Sequence, residues 1–304
     1  MAPLTMRAAA RCTLHVMLVV DAGALSARAH VPTASQTPHA TVCFVRHGES
    51  EWNAAKRFTG WTDVDLTDHG REEAACAGKV LRENGLIFDR AYTSELRRAQ
   101  ETLAIALHAS AQHSVPQMRH WRLNERHYGL LQGRSKQECV DEYGVEQIRI
   151  WRNSFATPPP LVSSTSPSFP GNCDKYHDVP PSLLPRGECL RDTLARCVPF
   201  WDEHVVPELH AGRRVLIAAH GHSIRCLVKH LDSISDDGIA SLSIPNGIPL
   251  VYHLDEQLQP MRPPGAVDGA LRGIFLGDEA KVAAADWLLP QGEAQPVNVM
   301  RTAE

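Results

Sequence analysis

The sequence contains no apolar run approaching the ~18 residues needed to cross a bilayer, so no membrane-spanning helix is expected. It contains no C-x-x-C pair either. Its eight cysteines (Cys12, Cys43, Cys76, Cys139, Cys173, Cys189, Cys197 and Cys226) are dispersed. That dispersal argues against a thiolate metal cluster, and several of these thiols fall in apolar periodic stretches, as reduced, buried cysteines do. An excess of basic charge is missing as well. With 31 Lys and Arg against 35 Asp and Glu, the net charge is −4 and the signs are interspersed, which leaves no nucleic-acid footprint. What remains is a 304-residue chain, 43% hydrophobic, long enough for one large α/β domain or two small ones.

Residues 1–40 stand apart. They are rich in alanine, carry Arg7, Arg11 and Arg28, and contain a single acid, Asp21. Arg-rich, acid-poor leaders of this kind target organelles, and a disordered extension has the same composition. The expected compartment is the cytoplasm, or an organelle (mitochondrion or plastid) if the leader is a targeting peptide. A folded domain is expected over residues 41–289, and a loose tail over 290–304.

Alternating strand and helix signals run through the domain. Val42, Cys43, Phe44 and Val45 form a short buried strand. Thr67 is placed to cap a helix reaching about Asn84, with Ala74, Ala77, Val80 and Leu81 on one face and Gly85 ending it. Leu86 to Tyr92 reads as a second strand, followed by a helix from about Glu95. A further helix starts near Gly187, and Pro199 inside it predicts a kink. Val215 to Ala219 is another strand. The fold class is therefore α/β, a three-layer α/β/α sandwich around a mostly parallel sheet. Between Phe155 and Pro185 lies a proline-rich loop whose stretch Leu161 to Phe169 has no charged residue.

The chemistry concentrates where strands end. The first strand breaks into Arg46, His47, Gly48, and the strand at 215–219 breaks into His220, Gly221, His222. Two histidines at neighbouring strand ends would face one anionic site at the carboxyl edge of the sheet. Arg46 supplies a planar fork of donors, and Gly48 would let the backbone approach a ligand. Such an arrangement suits attack on a phosphoryl group, and it suits phosphate binding without chemistry nearly as well.

RHGESEWN at 46–53, RFTGWTDVDLTDHG at 57–70, YTSELRRAQET at 92–102, LNERHYGLLQG at 123–133 and IAAHGHSIRCLVK at 217–229 resemble the cofactor-dependent phosphoglycerate mutases of the histidine phosphatase superfamily. The likeness runs from about Thr41 to Glu279, and it implies that 41–289 is a catalytic domain whose segment 123–187 covers the site. The RHG triplet alone marks the superfamily, whereas LNERHYG with RFTGW is specific to the mutase branch.

The resemblance implies a set of roles. His47 would be the nucleophile that becomes phosphohistidine. Arg46, Arg98 and His220 would surround the transferred group, with Ser50 and Asn53 beside it. Glu125 would be the general acid and base, its pKa raised by enclosure beside a polyanion. Arg126, Tyr128, Lys136 and Arg152 would clamp the substrate carboxylate and second phosphate. Thr59 and Gly60 would add donors from the FTGW loop, and Gly221 from a helix start. Trp52 and Trp61 read as packing. The implied activity is interconversion of 2- and 3-phosphoglycerate in glycolysis and gluconeogenesis. Its primer would be 2,3-bisphosphoglycerate, with no metal. Implied partners are small phosphorylated acids and further copies of the chain (dimer or tetramer), with neither nucleic acid nor membrane.

Two positions depart from the family pattern. Asn153 follows Trp151 and Arg152 where the mutases carry a second arginine, and His222 replaces the asparagine of HGNS. Losing one cation removes about 1–3 kcal/mol of charge-assisted bonding to an anion. That shifts the expected balance from mutase toward phosphatase. A phosphatase acting on a small phosphorylated acid is thus the first alternative, and a non-catalytic phospholigand-binding protein the second.

Overall fold

The computed structural model describes residues 37–266, 269–278, 282 and 297–300. Of the leader expected over 1–40, residues 1–36 lie outside these residues, as does most of the tail expected over 290–304, while Ala40 belongs to the first strand of the domain. One piece of that tail, Asn298–Met300, is nevertheless a strand of the sheet rather than loose.

The elements that carry the site follow in order. Strand β1 is Ala40–Arg46, the short helix α1 Glu51–Ala54, and α2 Asp68–Glu83. Strand β2 is Arg90–Thr93, α3 Arg97–Ala109, and β3 Gln117–Arg119. Helices α4 (Lys136–Tyr143), α5 (Val145–Asn153), α6 (Leu190–Phe200) and α7 (Val206–His210) precede β4, Arg214–Ala219. Helix α8 is Gly221–Asp232, and β5 (Pro249–Leu254), β6 (Ile274–Leu276) and β7 (Asn298–Met300) complete the sheet. Strand order is β3-β2-β4-β1-β5-β6-β7. Strands β3, β2, β4 and β1 run parallel, β5 and β6 are each antiparallel to the strand before them in the sheet, and β7 is parallel to β6.

Side chains along β1 alternate between two cores, as the two-residue period of a strand requires. Val42 and Phe44 enter the larger core with Phe200 of α6 and Leu227 of α8, while Cys43 and Val45 enter the other with Leu81 of α2 and Leu103 of α3. Helices thus cover both faces, which is the three-layer architecture. Helix α2 begins where its cap was expected, with the Thr67 side chain accepting from the Gly70 N–H. The strand expected over Leu86–Tyr92 starts only at Arg90, because the backbone before it bonds elsewhere. The Leu86 N–H goes to the Leu81 carbonyl and that of Phe88 to the Gln112 side chain.

At Pro199 the missing donor has a visible consequence. Helix α6 passes into a π turn over Trp201–Val205 before α7 resumes. The proline-rich loop is not structureless. It forms three 3₁₀ turns, Pro170–Asn172, Asp174–Tyr176 and Pro181–Leu183. Val162, Phe169, Tyr176 and Leu184 pack there against Trp61 in a small core of their own. From the charge-free stretch, Val162 and Phe169 enter that packing, while most of the residues between them are exposed.

Candidate active site

Parallel pairing of β1 with β4 sets Arg46 opposite Ala219, so the next residues, His47 and His220, emerge side by side. Their rings lie 5.0 Å apart, centroid to centroid. His47 Nδ1 lies 2.7 Å from the Gly48 carbonyl, which can only accept, so the proton sits on Nδ1 and Nε2 keeps its lone pair. Burial, then the charges of Arg98 and Arg46, push the His47 pKa well below its ordinary value. The ring is therefore neutral at physiological pH. His220 is held low by the same causes, burial and then Arg98, and its Nε2 shares a 2.7 Å hydrogen bond with Ser94 Oγ.

Of the two arginines that begin α3, the fold separates the roles. Arg97 is exposed and pairs with Asp63 and Asp65, whereas Arg98 is 1% exposed. The Arg98 fork donates to the Gly60 carbonyl at 2.8 Å, the Thr62 carbonyl at 3.0 Å and His47 Nε2 at 3.3 Å. Burial lowers its pKa to about 10, which leaves it charged. Arg46 is oriented by a 2.6 Å bond from Nη1 to the Ile244 carbonyl.

Gly48 serves a purpose other than approach to a ligand. A Cβ there would stand 2.0 Å from the Gly70 carbonyl oxygen, so the glycine lets α2 pack against the loop after β1. Gly60 likewise sits at φ +54°, with Gln132 filling the space of a side chain.

Glu125 faces the histidines from the loop before α4. Its Oε1 accepts from the Arg126 N–H at 2.8 Å, the His222 N–H at 3.1 Å and the His222 ring Nδ1 at 3.1 Å. Burial pushes its pKa up, but His222, His220 and the Arg126 N–H outweigh this and hold the carboxyl well below its ordinary range. The raised pKa was expected beside a polyanionic ligand; the protein's own donors, which the sequence does not reveal, act in the opposite direction. His222 is itself lowered to about 3 by burial and then by Arg126, so a neutral imidazole donates to a carboxylate. The Glu125 carbonyl accepts from Trp61 Nε1 at 2.5 Å and from Arg196 Nη2 at 2.9 Å, so Trp61 positions the loop as well as packing.

These groups open on a cavity of about 370 Å³. Of the expected residues it is lined by Arg46, His47, Asn53, Thr59, Gly60, Arg98, Glu125, Tyr128, Lys136, Arg152, Asn153, Gly221 and His222. Ser50, Arg126 and His220 do not line it. Ser50 is fully buried, capping α1 in a reciprocal box with Asn53. Arg126 is stacked on Tyr128 at 4.6 Å and donates to the Arg152 carbonyl at 2.9 Å, so it supports the clamp from within. Nor does the proline-rich loop line the cavity: of segment 123–187 only Glu125, Tyr128, Lys136, Arg152 and Asn153 do. Sequence reasoning missed Lys56, Arg57, Arg225, Glu49, Glu73, Ser243 and Asn246, which also line it. Lys56 and Arg57 were detectable, since they abut the FTGW loop. Asn246 was not, because it reaches the His47 carbonyl (2.7 Å) from 199 residues away.

A neutral imidazole with an unprotonated nitrogen, two arginines at hand and a carboxylate across the cavity can take up a phosphoryl group and move a proton. That defines a class of α/β protein with a phosphoryl site at the carboxyl edge of its sheet. The sequence matches the histidine phosphatase superfamily (branch 1) over residues 42–168 and 162–258, and the chain belongs to that superfamily. Among solved structures it is similar to phosphoglycerate mutase from Bacillus anthracis str. Sterne, at 24% identity and TM-score 0.51 over 73% of this chain and 90% of that one. It is also similar to the mycobacterial glucosyl-3-phosphoglycerate phosphatase (23%, TM-score 0.54, 73% and 95%). A third likeness is to the alpha-ribazole phosphatase from Shigella flexneri (19%, TM-score 0.55, 73% and 94%). At these identities the likenesses establish the fold.

Proposed function

We propose that the chain is a phosphoglycerate mutase that interconverts 2- and 3-phosphoglycerate through phospho-His47, primed by 2,3-bisphosphoglycerate. The observation that supports this best is the number of cations around the cavity. Beyond Arg46 and Arg98, which flank His47, it is lined by Lys56, Arg57, Lys136, Arg152 and Arg225. Removing one phosphoryl group from a monoester needs only the first pair. A substrate with a second phosphate and a carboxylate, turned around without leaving, uses the rest.

In this reading, His47 Nε2 forms a bond to phosphorus as the ester P–O bond breaks, and Glu125 gives a proton to the departing oxygen. In the return step Glu125 takes the proton of the attacking hydroxyl, and the N–P bond breaks. Arg46 and Arg98 hold the equatorial oxygens throughout.

A second reading, hydrolysis of a small phosphorylated acid, is favoured by Asn153, a neutral residue standing on the cavity wall where the mutases carry an arginine. One assay separates the two. Purified protein is given 3-phosphoglycerate with and without bisphosphoglycerate, and 2-phosphoglycerate and inorganic phosphate are followed separately. Primer-dependent 2-phosphoglycerate is expected. Phosphate release alone, indifferent to primer, would sink the mutase reading.

A further inference from the structure

We infer that His222 is a positioning residue that pins one oxygen of Glu125 and so selects the other as the oxygen that exchanges the proton. The inference rests on the proton-transfer role proposed for Glu125. His222 sits in the first turn of α8, directly after Gly221, and both its ring Nδ1 and its backbone N–H reach Glu125 Oε1 at 3.1 Å. With the Arg126 N–H at 2.8 Å, three donors converge on that single oxygen. Oε2 accepts from none of these three, and it borders the same space beside Gly221 as Arg46 does: a Cβ there would stand 3.7 Å from Oε2 and 3.5 Å from the Arg46 guanidinium carbon. With Oε1 held by three donors, Oε2 is the oxygen left to exchange a proton.

The His222 ring has little freedom to do anything else. Tyr128 meets it edge-on, with centroids 5.8 Å apart. The charged groups that face it are Arg126 and Glu125 from the loop before α4 and Arg225 from its own helix. A neutral imidazole held among them donates one hydrogen bond in one direction. That differs from donating to a phosphate. An asparagine amide nitrogen lies close to where Nδ1 of histidine lies, whereas that of glutamine lies nearer Nε2.

The test uses the transfer of phosphoryl groups to His47 from two donors. An aryl phosphate has a leaving group stable enough to depart without a proton. An alkyl phosphate such as a phosphoglycerate needs the acid. Three variants are compared: His222→Phe keeps a ring without a donor, His222→Asn restores a donor at the Nδ1 position, and His222→Gln misplaces it. Each rate is taken at the variant's own pH optimum, so that a change in Glu125 ionisation does not enter the comparison. The alkyl-to-aryl rate ratio is expected to fall at least about tenfold in His222→Phe and His222→Gln and to recover in His222→Asn. Because a lost donor destabilises the carboxylate, the pH profile should also move upward in the first two and back in the third. His222→Gln keeps a polar side chain and supplies the test if the phenylalanine variant does not fold. Equal losses with both donors, or an unchanged ratio in both variants, would overturn the inference. Glu125→Gln is the control for the underlying role. It must itself lower the alkyl-to-aryl ratio, and if it does not, the acid assignment of Glu125 fails independently of His222.

Discussion

The substitution Arg98→Lys keeps a positive charge at the floor of the site and removes its shape. The Arg98 fork meets three acceptors fixed by two segments: the Gly60 carbonyl at 2.8 Å and the Thr62 carbonyl at 3.0 Å from the FTGW loop, and His47 Nε2 at 3.3 Å from the end of β1. An ammonium on a flexible stem satisfies one of these well and cannot span all three. The Gly60 carbonyl or His47 is then left buried without its donor, at about 1–3 kcal/mol for each unsatisfied group. The partly exposed Thr62 carbonyl can turn to water and adds less. A loss of about 2–4 kcal/mol follows, or roughly 4–12 °C in Tm for a domain of this size. The same guanidinium is the donor closest to His47 Nε2, so phosphorylation of His47 should slow about tenfold to a hundredfold. Calorimetry gives the first quantity and rapid-quench transfer of labelled phosphate gives the second, each compared with the parent protein. A variant that melts with the parent and is phosphorylated as fast would show that charge alone matters at this position and that the three-way bracing does not.

Gly48→Ala should destabilise the chain by about 1–3 kcal/mol, read as a lower denaturant midpoint, because its methyl would collide with the Gly70 carbonyl at 2.0 Å. An unchanged midpoint would remove the packing explanation for this glycine. Acid should destabilise the fold well before carboxylates titrate. His222 is held near 3, against about 6.5 when unfolded, so the unfolded chain binds the extra proton and stability falls with pH through that window. By pH 5 His222 alone accounts for about 2 kcal/mol of the loss. A denaturant midpoint that does not move between pH 7 and pH 5 would contradict the buried neutral state. Asn153→Arg should restore a bidentate cation on the cavity wall and lower the fraction of phosphoryl groups lost to water per mutase turnover. The gain should shrink as salt is raised, and a fraction that stays constant would mean that Asn153 does not limit retention of the bisphosphate.

Much of this arrangement was legible because its signals are local. The run Val42–Val45 before Arg-His-Gly and the run Val215–Ala219 before His-Gly-His place two histidines at strand ends, and the fold makes those strands neighbours. The cap at Thr67 and the kink at Pro199 are likewise written in one or two residues. What stayed hidden depends on distant partners. The ionisation of Glu125 is decided by an N–H of the same loop and by His222, 97 residues away. The reason for Gly48 is Gly70, and the partner that buries Val162 and Phe169 is Trp61, about 100 residues earlier. The antiparallel β5 and β6 were invisible for another cause, since a buried run of apolar residues reads alike in either direction.

In the proposed mutase cycle, the depressed pKa of Glu125 bears on the order of events. An ionised carboxylate cannot donate, but it can accept, so the form that is ready to act at neutral pH is the base. A base is what the phosphorylated enzyme requires, because the next step draws a proton from a substrate hydroxyl as that oxygen attacks phospho-His47. Once that proton is on Glu125, beside a ligand with two phosphates, the surrounding negative charge favours keeping it there, and the group has become the acid that the second transfer needs. The cycle therefore begins from phospho-His47 and needs a primer to reach it, and priming from a monophosphate would be slow because the acid form is scarce in the free site. The same base would serve water equally well. Selection between hydroxyl and water then rests on how long the cations around the cavity hold the bisphosphate. It does not rest on the nucleophile or the base, and the wall residues Lys136, Arg152 and Asn153 are therefore where the mutase and phosphatase readings diverge.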